Sequence, residues 1–274
     1  MPKIPIEDNF TDVLGKAQRG LHLSDHSLAA QAGVTLAALA NVQSGRVDEA
    51  TLRSLARPLH LGADALVALA RRQWYPPQPS FPRGFAMFNT AYAEMTVNSF
   101  LVWDSRSRLA AAFDTGATAS SMLDTIQAEH LTVRYIFLTH THEDHTADLD
   151  RLARETGAEV WASEREPAAH PGARTFPEGA YFHLGAIAIK TLLTWGHSPG
   201  LTTYYITGLN WPVAIVGDSL FASSMGGSRE HYREQHRNNV KKILSLPADT
   251  VICAGHGPLT TVAQEKLHNP FFAS

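Results

Sequence analysis

The chain has 274 residues, of which 44% are hydrophobic, and its formal net charge is −3. This length suffices for two domains of unequal size, and the near-neutral charge excludes proteins that bind nucleic acid or membrane surfaces through a strongly basic character. The single cysteine, Cys253, excludes an internal disulfide framework, and no run approaches the roughly 18 apolar residues of a membrane span. We therefore expect a cytoplasmic protein without membrane attachment.

The first part of the chain, residues 1–75, has the periodicity of helices. Apolar residues recur there at intervals of three and four, as in Leu52, Leu55 and Leu59. Breaks separate the periodic segments at Gly33, Ser44-Gly45 and Gly62. The pattern predicts an all-helical domain over residues 1–75.

Part of this helical domain, residues 27–39, resembles the helix-turn-helix of Cro/repressor-type DNA-binding domains, with Gly33 in the turn. The chemistry of DNA reading is mostly missing, because the candidate recognition helix Thr35 to Gln43 has no basic residue. Residues 1–80 hold eight Lys or Arg and seven Asp or Glu, a net of +1. We therefore expect this domain to serve packing or homodimer formation, and we expect no nucleic-acid partner.

A proline-rich linker over residues 76–82 follows, and its four prolines mark a domain boundary. From residue 83 to 274, strand-like runs alternate with helical ones, which indicates a layered α/β domain. The predicted strands are 85–89, 94–97, 98–103, 109–113, 133–138, 159–162, 186–193, 202–207, 211–216 and 250–253. The predicted helices are 120–129, 146–156 and 228–244.

The clearest functional signal directly follows the apolar strand 133–138. Three histidines and two carboxylates occupy six positions there, in His140-Thr141-His142-Glu143-Asp144-His145. Packing gives no reason to gather so many titratable groups at a strand end, and burying them unpaired would cost several kcal/mol each. A divalent metal gives the reason, because imidazole and carboxylate are ligands that it prefers. The spacing therefore predicts a metal site.

Three further candidate ligands follow later apolar strands. The full set of candidates is His140, His142, Asp144, His145, His197, Asp218 and His256. Seven ligands with one shared carboxylate suit two divalent metal ions, each with an open position for water. Zinc is our first choice of metal, with iron and manganese as alternatives. Gly196 and Gly255 are expected to let the backbone approach the metals.

These residues resemble a known pattern. His140, His142, Asp144 and His145 match the HxHxDH signature of the metallo-β-lactamase superfamily, and His197, Asp218 and His256 match its later ligands in order. The resemblance covers about residues 83–274 and implies an αββα sandwich with the metals at one edge, preceded here by the helical domain. It also implies that His140, His142 and His197 hold one metal. Asp144, His145 and His256 would hold the other, with Asp218 between the two.

The segments 217–221, 255–261 and 269–271 are similar to the small glyoxalase II (hydroxyacylglutathione hydrolase) branch of that family. This similarity implies a hydrolase that acts on a small-molecule thioester. Two cations would lower the pKa of a water molecule so that hydroxide attacks the carbonyl carbon. Asp144 would be the catalytic carboxylate that orients the nucleophile and accepts its proton.

Other functions remain open at this stage. A persulfide dioxygenase of the same superfamily would use one iron held by two histidines and an aspartate. A lactone hydrolase is a further alternative. A non-enzymatic alternative is a DNA-binding regulator whose metal domain senses a ligand. About two metals per chain would favour hydrolysis, whereas one iron with oxygen consumption would favour the dioxygenase.

The predicted helix 228–244 carries a basic residue at every fourth position, at Arg229, Arg233, Arg237 and Lys241. A solvated helix face accounts for this pattern. Arg229 lies nearest in sequence to the Asp218 segment, so it is also a candidate contact for a carboxylate of the substrate.

Overall fold

The computed structural model describes residues 3–273. Five helices form its N-terminal part, which confirms the all-helical prediction. They are α1 (Phe10–Gly20), α2 (Asp25–Ala32), α3 (Leu36–Gln43), α4 (Glu49–Ala56) and α5 (Ala63–Ala70). Among the described residues, no helix has the length and apolar character to cross a membrane. The resemblance to a helix-turn-helix domain stays a prediction.

Side-chain caps explain where the first four helices begin. The side chains of Asn9, Ser24, Thr35 and Asp48 each accept a hydrogen bond from a backbone N–H of the first turn. Gly33 ends α2 with a left-handed backbone, at a φ of 66°, as the break in periodicity predicts.

The rest of the chain contains two six-stranded sheets. The first has the order β1-β2-β3-β4-β5-β6 and the second the order β12-β11-β10-β9-β8-β7. Strands of the first sheet are β1 (Phe85–Tyr92), β2 (Met95–Trp103), β3 (Leu109–Phe113), β4 (Thr132–Phe137), β5 (Glu159–Ser163) and β6 (Arg174–Phe176). Strands of the second are β7 (Tyr181–Leu184), β8 (Ile187–Leu193), β9 (Thr202–Thr207), β10 (Val213–Gly217), β11 (Val251–Ala254) and β12 (Thr260–Thr261).

Helices cover the outer face of each sheet. The remaining helices are α6 (Ser120–Ala128), α7 (Glu143–Thr146), α8 (Leu149–Thr156), α9 (Tyr232–Asn238) with a π-helical extension (Asn239–Ile243), and α10 (Val262–His268). One apolar core fills the space between the sheets, and two others lie between each sheet and its helices. The predicted αββα sandwich after an all-helical segment is confirmed.

Several element boundaries differ from the sequence predictions. The predicted strands 94–97 and 98–103 are one strand, β2, which pairs with β1 along its whole length. The predicted helix 146–156 corresponds to α8, which begins at Leu149, and Thr146 is the last residue of the separate helix α7. The predicted helix 228–244 begins only at Tyr232, so Arg229 lies in the preceding loop. Ser228 accepts a hydrogen bond from the backbone N–H of His231 at 3.2 Å, but the chain is helical only from Tyr232.

The helical segment shares an apolar core with the sandwich. Met225, Tyr232 and Phe271 of the sandwich belong to the same buried cluster as the helices. Gly20, the last residue of α1, packs directly against the ring of Tyr232. In the segment that precedes the linker, Trp74 stacks on His268 at a ring separation of 4.5 Å. The domain boundaries 1–75, 76–82 and 83–274 stay a prediction.

Candidate metal centre

All seven predicted metal ligands meet at one edge of the sandwich. His140 and His142 follow β4, Asp144 and His145 lie on α7, and the other three follow β8, β10 and β11. The positions of these residues follow from the sheet, because parallel neighbours such as β10 and β11 end at the same edge. His140, His145 and His256 are buried, whereas His142 is exposed, so the centre opens to solvent on the His142 side.

Two triads of potential ligand atoms lie side by side. The first comprises His140, His142 and His197, and the second Asp144, His145 and His256; within each triad the ligand atoms lie within 4.8 Å of one another. In the first, Nε2 of His140 and Nε2 of His197 lie 3.1 and 3.0 Å from Nδ1 of His142. In the second, Nε2 of His256 lies 3.2 Å from Oδ2 of Asp144.

Asp218 lies between these triads. One carboxylate oxygen, Oδ1, is 3.3 Å from Nε2 of His145. The other, Oδ2, is 3.4 Å from Nε2 of His197 and 3.5 Å from Nε2 of His256. A carboxylate in contact with both triads has the position expected of a ligand shared by two cations.

In three histidines, the ring nitrogen Nδ1 is held by a hydrogen bond to a carbonyl or carboxylate oxygen. The pairs are His145 Nδ1 with Asp114, His197 Nδ1 with the carbonyl of Gly227, and His256 Nδ1 with the carbonyl of Thr96, at 2.9, 2.9 and 2.7 Å. Because a carbonyl or carboxylate only accepts, each Nδ1 carries a proton, and Nε2 is the nitrogen of each ring that faces the centre.

Two observations indicate that these residues can hold a pair of divalent cations. Within the described part of the chain, His145 Nε2 and Asp218 Oδ1 are buried 3.3 Å apart, and neither atom makes a hydrogen bond. A Cβ at Gly255 would lie 2.3 Å from Asp218 Oδ1 and 2.6 Å from His145 Cε1, so this glycine keeps the space beside these atoms open. Buried, unpaired ligand atoms around a common space are costly unless a cation satisfies them.

The electrostatics of the centre favour added positive charge. Burial lowers the pKa of His140 well below its usual value, and the imidazole of His145 lowers it further, so His140 is neutral near pH 7. Burial also opposes a charged His145, but the carboxylates of Asp218 and Asp114 outweigh it and raise the pKa of His145 to about 10. The pKa of Asp218 lies well below its usual value, because the adjacent imidazoles outweigh its burial. Cation binding would therefore release protons from this centre.

Asp114 is a supporting residue that the sequence analysis did not identify as part of the site. Its carboxylate accepts hydrogen bonds from the backbone N–H and the hydroxyl of Thr139, at 2.8 and 2.7 Å, and from His145 Nδ1. It therefore joins the end of β4 to α7 and orients His145.

Glu166 is a second supporting residue that sequence reasoning missed. One carboxylate oxygen accepts hydrogen bonds from the hydroxyl of Ser198 and the backbone N–H of Gly200, both at 2.6 Å. The other accepts from the backbone N–H and hydroxyl of Thr141, at 3.1 and 2.8 Å. Glu166 thus connects the loop of His140 and His142 with the loop of His197.

Replacing Glu166 by alanine is expected to lower metal affinity and activity by about 10- to 100-fold, because four hydrogen bonds that align the first triad are lost. Glu166→Gln should lie between this variant and the wild type, because its carboxamide oxygen still accepts. The exposed neighbour Glu164, changed to alanine, is the control. Competition with a chelator measures the affinity, and a Glu166→Ala value equal to that of Glu164→Ala would remove the positioning role.

Gly196 lies elsewhere than expected, whereas the substrate contact of Arg229 stays a prediction. The expectation for Gly196 is wrong, because a Cβ there would meet the side chain and Cα of Gln235 on α9, at 2.3 and 2.8 Å, and not the metal centre. Arg229 is exposed and lines a cavity with Lys16 and Arg19 of α1. Glu7, which precedes α1, lies beside the loop of His256, because its backbone nitrogen would lie 3.3 Å from a Cβ at Gly257.

A His/Asp cluster at the open edge of an αββα sandwich defines a class of metal-dependent enzymes. The family model described as "Metallo-beta-lactamase superfamily" matches residues 93–256, more than half of the chain. The chain belongs to this superfamily.

Individual relatives agree with this assignment. The hydroxyacylglutathione hydrolase GloC of Haemophilus influenzae is 30% identical over 200 residues, which cover 65% of this chain and 93% of GloC. Among solved structures, the BLEG-1 B3 metallo-beta-lactamase is 27% identical with a TM-score of 0.60, covering 69% of this chain and 100% of its own. The di-iron-bound form of TTHA1623 is 25% identical with a TM-score of 0.55, covering 67% and 99% of the two chains.

Proposed function

We propose that the protein is a dinuclear metal hydrolase that cleaves a small thioester. The observation that carries this proposal is the position of Asp218, whose two oxygens contact both triads of potential ligands. With one cation in each triad, all seven side chains would be metal ligands. A mononuclear iron site with two histidines and one aspartate would leave the remaining buried imidazoles without a role.

The roles of the chain's own residues follow from their positions. His140, His142 and His197 would hold one cation, and Asp144, His145 and His256 the other, with Asp218 shared. Bound there, the cations would lower the pKa of a water molecule and polarise the substrate carbonyl. Asp144 is only half-buried, and its Oδ2 lies 3.5 Å from Nε2 of His145, so it borders both the centre and solvent. It would orient the nucleophile and accept its proton.

A thioester is the carbonyl substrate that fits this set of groups. Thiols have a pKa of about 8.5, so a thiolate leaves without first receiving a proton. An amine leaving group would need a proton donor, and the imidazoles of the centre are committed as ligands in this proposal. The similarity to GloC, named a hydroxyacylglutathione hydrolase, supports the same substrate class. The similarity to TTHA1623, described in a di-iron-bound form, supports two metals.

The proposal is tested with the purified full chain and three small substrates: a thioester, a lactone and a persulfide. The lactone has the acyl half in common with the thioester, and the persulfide has the thiol half in common with it. We expect the thioester to be hydrolysed with a kcat/KM of at least about 10⁴ M⁻¹ s⁻¹, within the ordinary range for enzymes. An oxygen electrode in the same reactions should register no consumption.

The Asp218→Ala variant serves as the control for contaminating esterases, because it removes the shared ligand. Background thioester turnover together with stoichiometric oxygen uptake on the persulfide would overturn the proposal in favour of a dioxygenase. Faster cleavage of the lactone than of the thioester would retain the hydrolase and change its substrate class.

A further inference from the structure

A cavity of about 320 Å³ lies where the helical segment meets the sandwich. Lys16 and Arg19 of α1 form one side of it, and Gly227, Ser228 and Arg229 form the other. Three of these five residues are basic and none is acidic. A concave site lined by one sign of charge attracts ions of the opposite sign.

The charges in this cavity are only partly compensated. Lys16 pairs with Asp8 and also donates a hydrogen bond to the carbonyl of Met225 at 2.9 Å. Arg19 and Arg229 are both exposed, and within residues 3–273 neither makes a salt bridge or a side-chain hydrogen bond. Gly15 leaves room for the side chain of Arg19, because a Cβ at Gly15 would lie 2.7 Å from Nη1 of Arg19. Two guanidinium groups are therefore available to a ligand.

This basic cavity adjoins the metal centre through a short loop. The carbonyl of Gly227, which lines the cavity, accepts the hydrogen bond from His197 Nδ1 at 2.9 Å. The hydroxyl of Ser228 donates to the carbonyl of Gly196 at 2.8 Å, beside the same histidine. Residues 227–228 therefore form a wall that the cavity shares with the loop of His197, and a group bound in the cavity lies one loop away from this proposed ligand.

We propose that the basic cavity binds an anionic group of the substrate, a carboxylate or a phosphate, and that the helical segment thereby takes part in substrate selection. This inference rests on the proposed hydrolysis of a thioester and specifies its substrate class. The planar guanidinium groups of Arg19 and Arg229 match carboxylate and phosphate oxygens, with which arginine forms paired hydrogen bonds. Lys16, held by Asp8, contributes to the shape of the cavity and anchors the loop at Met225.

The test compares four thioesters in the full-chain enzyme. One is uncharged, two carry a carboxylate or a phosphate on the thiol half, and one carries a carboxylate on the acyl half. We expect kcat/KM for at least one anionic thioester to exceed that of the uncharged one by about tenfold or more per arginine engaged. The ratio should fall about tenfold in Arg19→Ala and in Arg229→Ala, and approach one in the double variant, mainly through KM.

Arg233 provides the matched control, since it is an exposed arginine on α9 outside the cavity. Arg233→Ala should keep the wild-type ratio. Raising the ionic strength should reduce the anionic preference in the wild type but not in the double variant, because salt screens exposed charges. A ratio near one in the wild type, or an unchanged ratio in the double variant, would overturn the inference while leaving the hydrolase proposal intact.

A binding experiment separates failure of this inference from failure of the proposed function. Inorganic sulfate titrated into the full chain should shift the backbone amide resonances of Gly227 and Ser228, and the double variant should lose these shifts while Arg233→Ala keeps them. If no thioester is hydrolysed but these shifts occur, the anion site stands without the hydrolase. Hydrolysis of thioesters without any such shifts and without anionic preference would reject the anion site.

Discussion

Asp218→Ala is expected to abolish thioester hydrolysis and to lower the metal content of the protein. The side chain contacts imidazoles of both triads, at 3.3 to 3.5 Å. Its removal takes a ligand from each proposed cation and leaves the positive charges of the two cations facing each other without a carboxylate between them. A loss of about 4 kcal/mol of transition-state stabilisation corresponds to roughly a thousandfold lower kcat/KM.

Two comparisons make this experiment specific. Asp218→Asn keeps the shape of the side chain but not its charge, so it should retain more metal than Asp218→Ala and remain nearly inactive. Asp249→Ala changes an exposed aspartate outside the centre and should behave like the wild type. Elemental analysis of the dialysed proteins and initial rates at saturating metal provide the two readouts. An Asp218→Ala protein with both metals and the wild-type rate would show that Asp218 is not a shared ligand.

Gly20→Val is expected to destabilise the whole protein and to weaken its metal centre. A Cβ at Gly20 would lie 2.2 and 2.3 Å from Cγ and Cδ2 of the Tyr232 ring, and Tyr232 is buried in the core that the helices share with the sandwich. Overpacking of this kind costs about 3 kcal/mol. For a protein of this size that corresponds to a Tm lower by roughly 6–12 °C.

The metal centre should respond because Tyr232 begins α9, directly after the loop that holds His197 through Gly227. Gly172→Val is the control, since a Cβ at Gly172 would meet only the side chain of His170, at 3.6 Å. Adding Tyr232→Ala to Gly20→Val should recover part of the lost stability by making room. Two separate thermal transitions, with the metal-dependent one unchanged by Gly20→Val, would show that the helical segment and the sandwich are independent.

The ligand cluster was predictable from sequence because its signal is local. His140 to His145 lie directly after a buried apolar run, and His256 follows another, so the end of each strand places its histidine at the sheet edge. Alternation of strands and helices predicted a layered α/β domain, whereas the αββα sandwich was predicted from the resemblance to the metallo-β-lactamase superfamily.

Features that depend on contacts distant in sequence were not predictable in this way. Glu166 contacts Thr141 and Gly200, 25 and 34 residues away, and nothing in its own neighbourhood distinguishes it from Glu164. The expectation for Gly196 failed because its neighbour is Gln235, on a helix that the sequence cannot position. The basic cavity likewise combines Arg19 and Arg229 from two parts of the chain. Only the folded chain brings these pairs together.

The number of metal ions bound per chain tests the central claim most directly. Full-chain protein, loaded with zinc, iron or manganese and freed of excess metal, would be analysed for metal and protein together. We predict about two ions per chain, because two triads share Asp218, and about one fewer in His256→Ala. A stoichiometry of one in the wild type, unchanged in His256→Ala, would contradict the dinuclear centre.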